Sequence, residues 1–116
     1  MVTEDWLMRQ VDAMARSIAM LVFHKRETAY VPSGDETADG LHEALMARLE
    51  AGDLGGGEDL LFEAAESGSL GCLEAGVDFY ARLNELTDAQ LEEAGFDRDE
   101  IHQGLEDLSR QFGVVL

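Results

Sequence analysis

The sequence has little cysteine, proline or basic side chain and no long apolar run. Its 116 residues include one cysteine, Cys72, and one proline, with eight Lys and Arg against 25 Asp and Glu. A lone cysteine excludes an internal disulfide and is typical of a reducing compartment, so we expect a cytoplasmic protein. The single proline and the abundance of Ala, Leu and Glu favour helices.

The shortage of basic residues gives a net charge of −17, and this charge is unevenly distributed. Residues 1–26 hold four basic and three acidic side chains, so residues 27–116 carry −18. So acidic a surface repels phosphate backbones and anionic lipid headgroups, and we expect neither direct nucleic-acid binding nor membrane binding. The acidity serves either solubility alone or the recognition of a basic partner protein.

The most apolar segment is DWLMRQVDAMARSIAMLVFHK, residues 5–25. A membrane-spanning helix needs about 20 consecutive apolar residues, and here the charges leave only residues 17–23 unbroken. A secretory signal begins with basic residues, whereas this segment follows Glu4 and begins with Asp5. The segment is therefore predicted to be a helix that packs against protein.

On a helical wheel the segment is amphipathic, with charged residues opposite an apolar stripe. The stripe consists of Leu7, Val11, Met14, Ile18, Leu21 and Val22. Thr3 is the predicted N-cap, and Lys25 and Arg26 are predicted to complement the negative end of the helix. Trp6, Met20 and Phe23 lie off the stripe, so we expect these three side chains to contact a surface outside the protein's own core.

The next part of the chain predicts a loop and a helical hairpin. Residues 27–40, ETAYVPSGDETADG, combine Pro, Gly and Asp and predict a flexible loop. A helix with Leu41, Leu45 and Leu49 follows and ends at Gly52. The glycines of DLGGGED, residues 53–59, predict a turn before a short third helix that ends at Gly68.

The carboxyl-terminal half predicts three more helices. The helix from Ser69 to Leu86 has two apolar faces and is predicted to be central, with Glu74, Asp78 and Glu85 as its solvated strip. Capping patterns mark the starts of the other two helices, namely Thr87 with Gln90 and Asp97 with Glu100. A staple between Phe96 and Ile101, and an inner face of Ile101, Leu105, Leu108 and Phe112 before Gly113, complete the last helix.

One hairpin resembles a tetratricopeptide repeat. In LEAGDLGGGEDLLFEA, residues 49–64, Gly52 stands at the turn and Gly57 at the small-residue position, followed by Leu61 and Ala64. The aromatic signature of the first helix is missing and no copy recurs about 34 residues later. The resemblance therefore covers one degenerate hairpin and implies tetratricopeptide-like packing of that hairpin.

A resemblance over nearly the whole chain rests on four blocks in order. The blocks are DWLMRQVDAMARSIAMLVF, DLLFEAAESG, VDFYARLNELTDAQLEEAGF and DRDEIHQGLEDL. They resemble a family of small bacterial helical proteins, a domain of unknown function. The resemblance implies an all-helical, repeat-like fold and a cytoplasmic bacterial protein, and it implies no activity. The chain departs from the family pattern at Gly55–Gly57, where helix-forming residues are usual.

The residues that could carry chemistry follow no known catalytic or ligand pattern. His24, His42 and His102 are assigned to three different helices without zinc-site spacing. The glycines at 55–57 precede Glu58 and Asp59, which would repel a phosphate. DRDEIHQGLEDL has too few alternating oxygens for a calcium loop, and Cys72 has no neighbouring base. We predict no catalytic residue, no cofactor and no metal site, and hence no enzyme.

The sequence thus predicts an all-α protein, one domain of five to six helices spanning residues 1–116. Its function is unknown from sequence. The leading hypothesis is a non-catalytic module that self-associates or binds a protein partner through Trp6, Met20 and Phe23. The alternative is an acidic regulator that occupies a basic site on another protein. An enzyme or metal protein built from scattered residues ranks third.

Overall fold

The computed structural model describes residues 4–66 and 68–115, and this part of the chain is helical without strands. Its six helices are α1 Glu4–Phe23, α2 Glu36–Glu50, α3 Leu54–Ala65, α4 Leu70–Glu85, α5 Asp88–Glu93 and α6 Arg98–Gln111. They pack around one hydrophobic core. The predicted all-α, single-domain fold with five to six helices is confirmed.

Side-chain caps start four of the helices, because a carboxylate or hydroxyl accepts from the first free backbone N–H groups. Asp35, Asp53 and Asp97 cap α2, α3 and α6. Thr87 and Gln90 form the complete capping box predicted for α5. The predicted Thr3 cap of α1 lies outside the described residues.

Three helices end at a glycine in the left-handed region, where a Cβ would be strained. Gly52, Gly95 and Gly113 have φ of +75°, +71° and +72°. In each case the amide of the following residue donates to the carbonyl five residues earlier, for example Asp53 N to Arg48 O at 2.9 Å. The predicted stops at Gly52 and Gly113 are confirmed.

Helix α4 is the centre of the fold, as the two apolar faces predicted. Asn84 Nδ2 donates to Met8 O at 3.0 Å, and Lys25 Nζ lies 2.5 Å from Glu74 Oε2, so α1 runs antiparallel to α4. On another side α6 approaches closely, because a Cβ at Gly76 would lie 2.5 Å from Leu108 Cδ2. Leu70, in the first turn of α4, is 54% exposed.

The turn predicted at Gly55–Gly57 is wrong, since all three glycines lie in the first turns of α3. Asp53 compensates for their low helix propensity by accepting from Gly56 N at 3.0 Å. Gly57 is buried, and a Cβ there would lie 2.7 Å from Phe79 Cζ of α4. The glycine run therefore permits close packing of α3 against α4 rather than a chain reversal.

The first loop lies earlier than predicted. Helix α1 ends at Phe23, and His24 follows in the left-handed region with φ of 56°. Lys25 and Arg26 are thus outside the helix and do not occupy its last turn. Because Asp35 caps α2, residues 36–40 are helical, and the connection comprises residues 24–35.

Among the helices of residues 4–66 and 68–115, none has the length and apolar character needed to cross a membrane. This agrees with the charges that interrupt the apolar segment of α1. The tetratricopeptide-like packing of the hairpin formed by α2 and α3 stays a prediction.

Candidate functional site

Helix α1 buries one face and leaves another uncovered. Its buried residues are Leu7, Val11, Ala15, Ile18 and Ala19. The predicted stripe is correct at its centre but wrong at Leu21, which is 60% exposed. At 100° per residue Leu21 falls at one outer edge of the stripe, while the buried face extends past the opposite edge to Ala15 and Ala19.

The uncovered side carries a surface that we call the uncharged face of α1. It consists of Trp6, Gln10, Ala13, Ser17, Met20 and Leu21, six residues without charge that recur every three or four positions. Trp6 is 41% and Met20 48% exposed. The charged residues begin at the edge of this face with Arg9 and continue away from it with Asp12 and Arg16, where Arg16 Nε donates to Asp12 at 3.0 Å.

The three residues predicted to contact a partner separate into two groups. Trp6 and Met20 belong to the uncharged face and are exposed. Phe23 is half-buried and packs against the core, so the fold itself covers part of its ring. Leu21, which sequence reasoning placed inside, joins the exposed group instead. The external contact itself stays a prediction.

A groove of about 550 Å³ lies beside this face, between α1 and α6. Its lining residues are Gln10, Ala13, Met14, Ser17, His102, Glu106, Ser109, Arg110, Val114 and Val115. The Trp6 ring lies 6.4 Å from the His102 ring, and Val115 is 89% exposed. Gln10, Ala13 and Ser17 belong to both the groove and the face, so the two form one continuous surface.

The charged side chains along the α6 wall of the groove pair with one another. Glu106 Oε1 lies 3.1 Å from His102 Nδ1. Arg110 Nη1 donates to Asp107 at 3.1 Å, and Arg110 Nη2 lies 3.8 Å from Glu106. Because these acids and bases offset each other locally, the groove is far less acidic than the chain as a whole.

A second polar cluster joins α4 to α2 and to the loop at residues 24–35. It lies where the sequence predicted the solvated strip of α4. Asp78 is 3% exposed, and its two carboxylate oxygens lie 2.5 Å from His42 Nε2 and 2.9 Å from Arg82 Nε. Tyr30 stacks on His42 with ring centroids 4.6 Å apart. The strip is wrong for Asp78, because α2 and the loop at 24–35 cover it.

The same loop is tied to its surroundings by further carboxylates. Tyr30 Oη donates to Asp39 at 2.5 Å, and Glu74 pairs with Lys25. Burial, followed by the bond to Asp39, raises the pKa of Tyr30, while that bond lowers the pKa of Asp39. The cluster thus acts as a structural clamp on the loop. The flexibility predicted for residues 27–40 stays untested.

A third buried polar contact joins α3 to α4. Tyr80 Oη donates to Glu58 Oε2 at 2.5 Å, beside Gly104 of α6. Burial raises the pKa of Glu58, since the charged form loses hydration. Burial likewise raises the pKa of Cys72, which suits the structural thiol that the sequence predicted.

The three histidines do not converge. His24 follows the end of α1 rather than lying on a helix, His42 pairs with Asp78, and His102 pairs with Glu106. Within the described ranges, no group of three or more His, Cys, Asp or Glu residues has a metal-binding arrangement. The predicted absence of a metal, a cofactor and a catalytic residue stays a prediction.

The fold and this surface define a small acidic protein of the all-helical class, in which the uncharged face of α1 is exposed. The chain belongs to the family of unknown function DUF6483, whose family model matches residues 1–113. The predicted resemblance to a helical family of unknown function is thereby confirmed. The chain matches no curated protein and no solved structure.

Proposed function

We propose that the protein is a non-catalytic interaction module whose docking surface is the uncharged face of α1 and the adjoining groove. One observation carries the proposal: a chain of net charge −17 keeps six successive positions on one side of a 20-residue helix free of charge. Three of the six are large apolar side chains that are 41–60% exposed.

The cost of desolvation differs between the charged surface and the uncharged face. A partner that covers a charged surface must strip water from ions, which costs several kcal/mol for each unpaired ion. Covering the uncharged face instead releases water from apolar side chains, at about 25 cal/mol per Å². On this protein the face and the groove therefore form the surface that another protein can cover most favourably.

The non-catalytic part of the proposal rests on how the chemically capable side chains are used. The loop at residues 24–35 is held by Tyr30, which stacks on the His42 that pairs with Asp78. Glu58 accepts a hydrogen bond from the hydroxyl of Tyr80. Each of these groups therefore already has a structural partner. We further propose a cytoplasmic setting, since the thiol of Cys72 is free, and a bacterial one, on the resemblance to a family of small bacterial helical proteins. The net charge argues for partners other than nucleic acid or membrane.

The test of this function is capture of partner proteins from native cell extract. A variant with Met20→Glu and Leu21→Glu places two charges on the uncharged face and should lose binding. The matched control, Ala47→Glu with Ala89→Glu, adds the same two charges at exposed positions of α2 and α5. If the variant and the wild-type protein bind every partner equally, including further copies of the chain, the proposed surface is wrong.

The alternative function, an acidic regulator that occupies a basic site, is supported by the −18 of residues 27–116. Its binding should weaken steeply as salt is raised, because ion pairs between exposed groups are screened. Binding through the uncharged face should persist at high salt. The same capture experiment at low and high salt therefore separates the two functions.

A further inference from the structure

The uncharged face of α1 has an order of side chains that is nearly the same in both directions. Trp6 is large, Gln10 polar, Ala13 small, Ser17 polar, and Met20 with Leu21 large. The spacing is four, three, four and three residues, which keeps all of them on one side of the helix. The midpoint of the series falls at Ala13.

We propose that this face binds a second copy of the chain, with the two α1 helices antiparallel about a two-fold axis at Ala13. This inference rests on the proposed function and names its partner. Antiparallel pairing brings Trp6 of one copy against Met20 and Leu21 of the other, and does so twice. A two-fold interface requires such self-complementarity, since the same patch serves both sides.

The centre of the face suits close approach. Ala13 meets its own copy at the axis, and a side chain of this size allows two helix axes to lie about 8–10 Å apart. Gln10 of one copy faces Ser17 of the other, and an amide and a hydroxyl can each donate and accept. The polar positions of the face therefore find partners in the pairing instead of being buried unsatisfied.

A face without ions favours an uncharged partner surface, and a second copy of the chain supplies one. The face contributes no ion, so the contact between the two faces itself removes no charge from water. The remaining surfaces, each part of a chain of net charge −17, repel at long range. Salt screens this repulsion within a Debye length of about 8 Å at physiological ionic strength. Dimerisation should therefore strengthen as salt is raised, which is opposite to the behaviour of acidic-to-basic recognition.

The size of the face indicates a reversible dimer. From Trp6 to Leu21 it is about 23 Å long at 1.5 Å per residue. At about one helix width, roughly 10 Å, the face is smaller than the ~800 Å² per partner of a standard interface. Such a contact associates and dissociates readily, so concentration should shift the balance between monomer and dimer.

The test is sedimentation velocity on the whole chain from low micromolar to millimolar concentration, at low and high salt. We expect a monomer–dimer equilibrium that high salt shifts towards dimer. Ala13→Glu sets two carboxylates against each other at the axis and should weaken association more than about 100-fold. Ala89→Glu, with the same change on exposed α5, should leave association unchanged. Circular dichroism checks that both variants keep their helices.

A crosslink tests the geometry independently of stability. Ala13→Cys should form a disulfide between two copies on mild oxidation, because the axis brings identical residues together. Ala89→Cys should not. Cys72 is buried and does not compete.

Two results would overturn the pairing. One is a monomer at every concentration and salt, and the other is a dimer that Ala13→Glu leaves intact. If a monomer still captures another protein and the Met20→Glu, Leu21→Glu variant does not, the proposed function holds and only the identity of the partner is wrong. If neither self-association nor capture depends on the face, both proposals fail.

Discussion

Helices α1 and α4 are both long and rich in apolar residues, yet the fold treats them differently. Ten of the 16 residues of α4 are buried, against five of the 20 in α1. Helix α4 has neighbours on several sides because Gly76 of its own sequence and Gly57 of α3 let adjacent side chains approach. Helix α1 contacts α4 and α6 and leaves three large side chains of its uncharged face 41–60% exposed. Apolar content alone therefore does not decide whether a helix is enclosed.

The carboxylates of the two helices also differ in burial. Asp78 of α4 is buried between His42 and Arg82. Asp12 of α1 pairs with Arg16 at the surface, where both side chains are more than half exposed. A buried carboxylate without partners would cost several kcal/mol, so enclosure requires the pairs that α2 and α4 provide. Surface pairs contribute little.

The largest expected difference in stability is between a Leu→Ala substitution in α4 and the same substitution in α1. Leu73→Ala in α4 removes a fully buried side chain and should lower the free energy of unfolding by about 2–5 kcal/mol. Leu21→Ala in α1 should change it by about 0.5 kcal/mol or less in dilute, low-salt solution. Urea unfolding followed by circular dichroism measures both. Equal losses would remove the distinction between the two helices.

Next in size is the loss of the buried carboxylate. Asp78→Ala leaves His42 and Arg82 without their shared partner and should cost about 1–3 kcal/mol. Its control is Asp12→Ala, which removes an exposed i, i+4 pair worth about 0.3–0.5 kcal/mol. Thermal unfolding of the two variants compares them directly. A cost for Asp78→Ala no greater than that of the control would mean that the cluster does not stabilise the loop.

Two glycines of α3 test how closely α3 packs against α4. Gly57→Ala forces a methyl group to within 2.7 Å of the Phe79 ring and should destabilise by about 1–3 kcal/mol. Gly55→Ala, two residues earlier in the same helix, meets nothing within 4 Å. It should stabilise by up to about 1 kcal/mol through helix propensity. Urea midpoints that move in the same direction for both variants would contradict this packing.

The smallest expected effect depends on pH. Because the pKa of Glu58 is raised, the folded protein binds more protons than the unfolded chain just above the ordinary value of 4.5. Its contribution to stability therefore falls as pH rises through this window. Glu58→Gln still accepts from Tyr80 and should stabilise at neutral pH by less than about 1 kcal/mol.

That gain from Glu58→Gln should disappear below pH 4.5, where the native carboxyl is protonated in both states. Glu63→Gln, an exposed change in the same helix, serves as the control. Unfolding measured across the acidic range gives both curves. A gain that grows on acidification would reverse the sign of the assigned shift.

Much of the fold follows from local signals in the sequence. The capping box at Thr87 and Gln90 and the stops at Gly52 and Gly113 were predictable, because cap and stop residues act on the nearest backbone groups. The central position of α4 was also predictable, since two apolar faces need two sets of neighbours.

Two of the errors share one cause, namely contacts between residues distant in sequence. From sequence Gly57 is expected to break a helix, and only the fold shows that its missing side chain makes room for Phe79 of α4. Asp78 reads as solvated until His42, 36 residues earlier, covers it. For the candidate surface, sequence patterns identified Trp6 and Met20 but placed Leu21 inside. The local sequence of α1 does not show how much of its surface α4 and α6 cover.

The sequence by itself determined the helices, their caps and the acidity, because helix propensity, capping and charge depend on residues a few positions apart. Only the tertiary structure decided which apolar side chains are covered and which carboxylates are paired. Burial depends on the neighbours that the whole chain brings together, and for α1 these neighbours cover one face and leave the uncharged one to solvent.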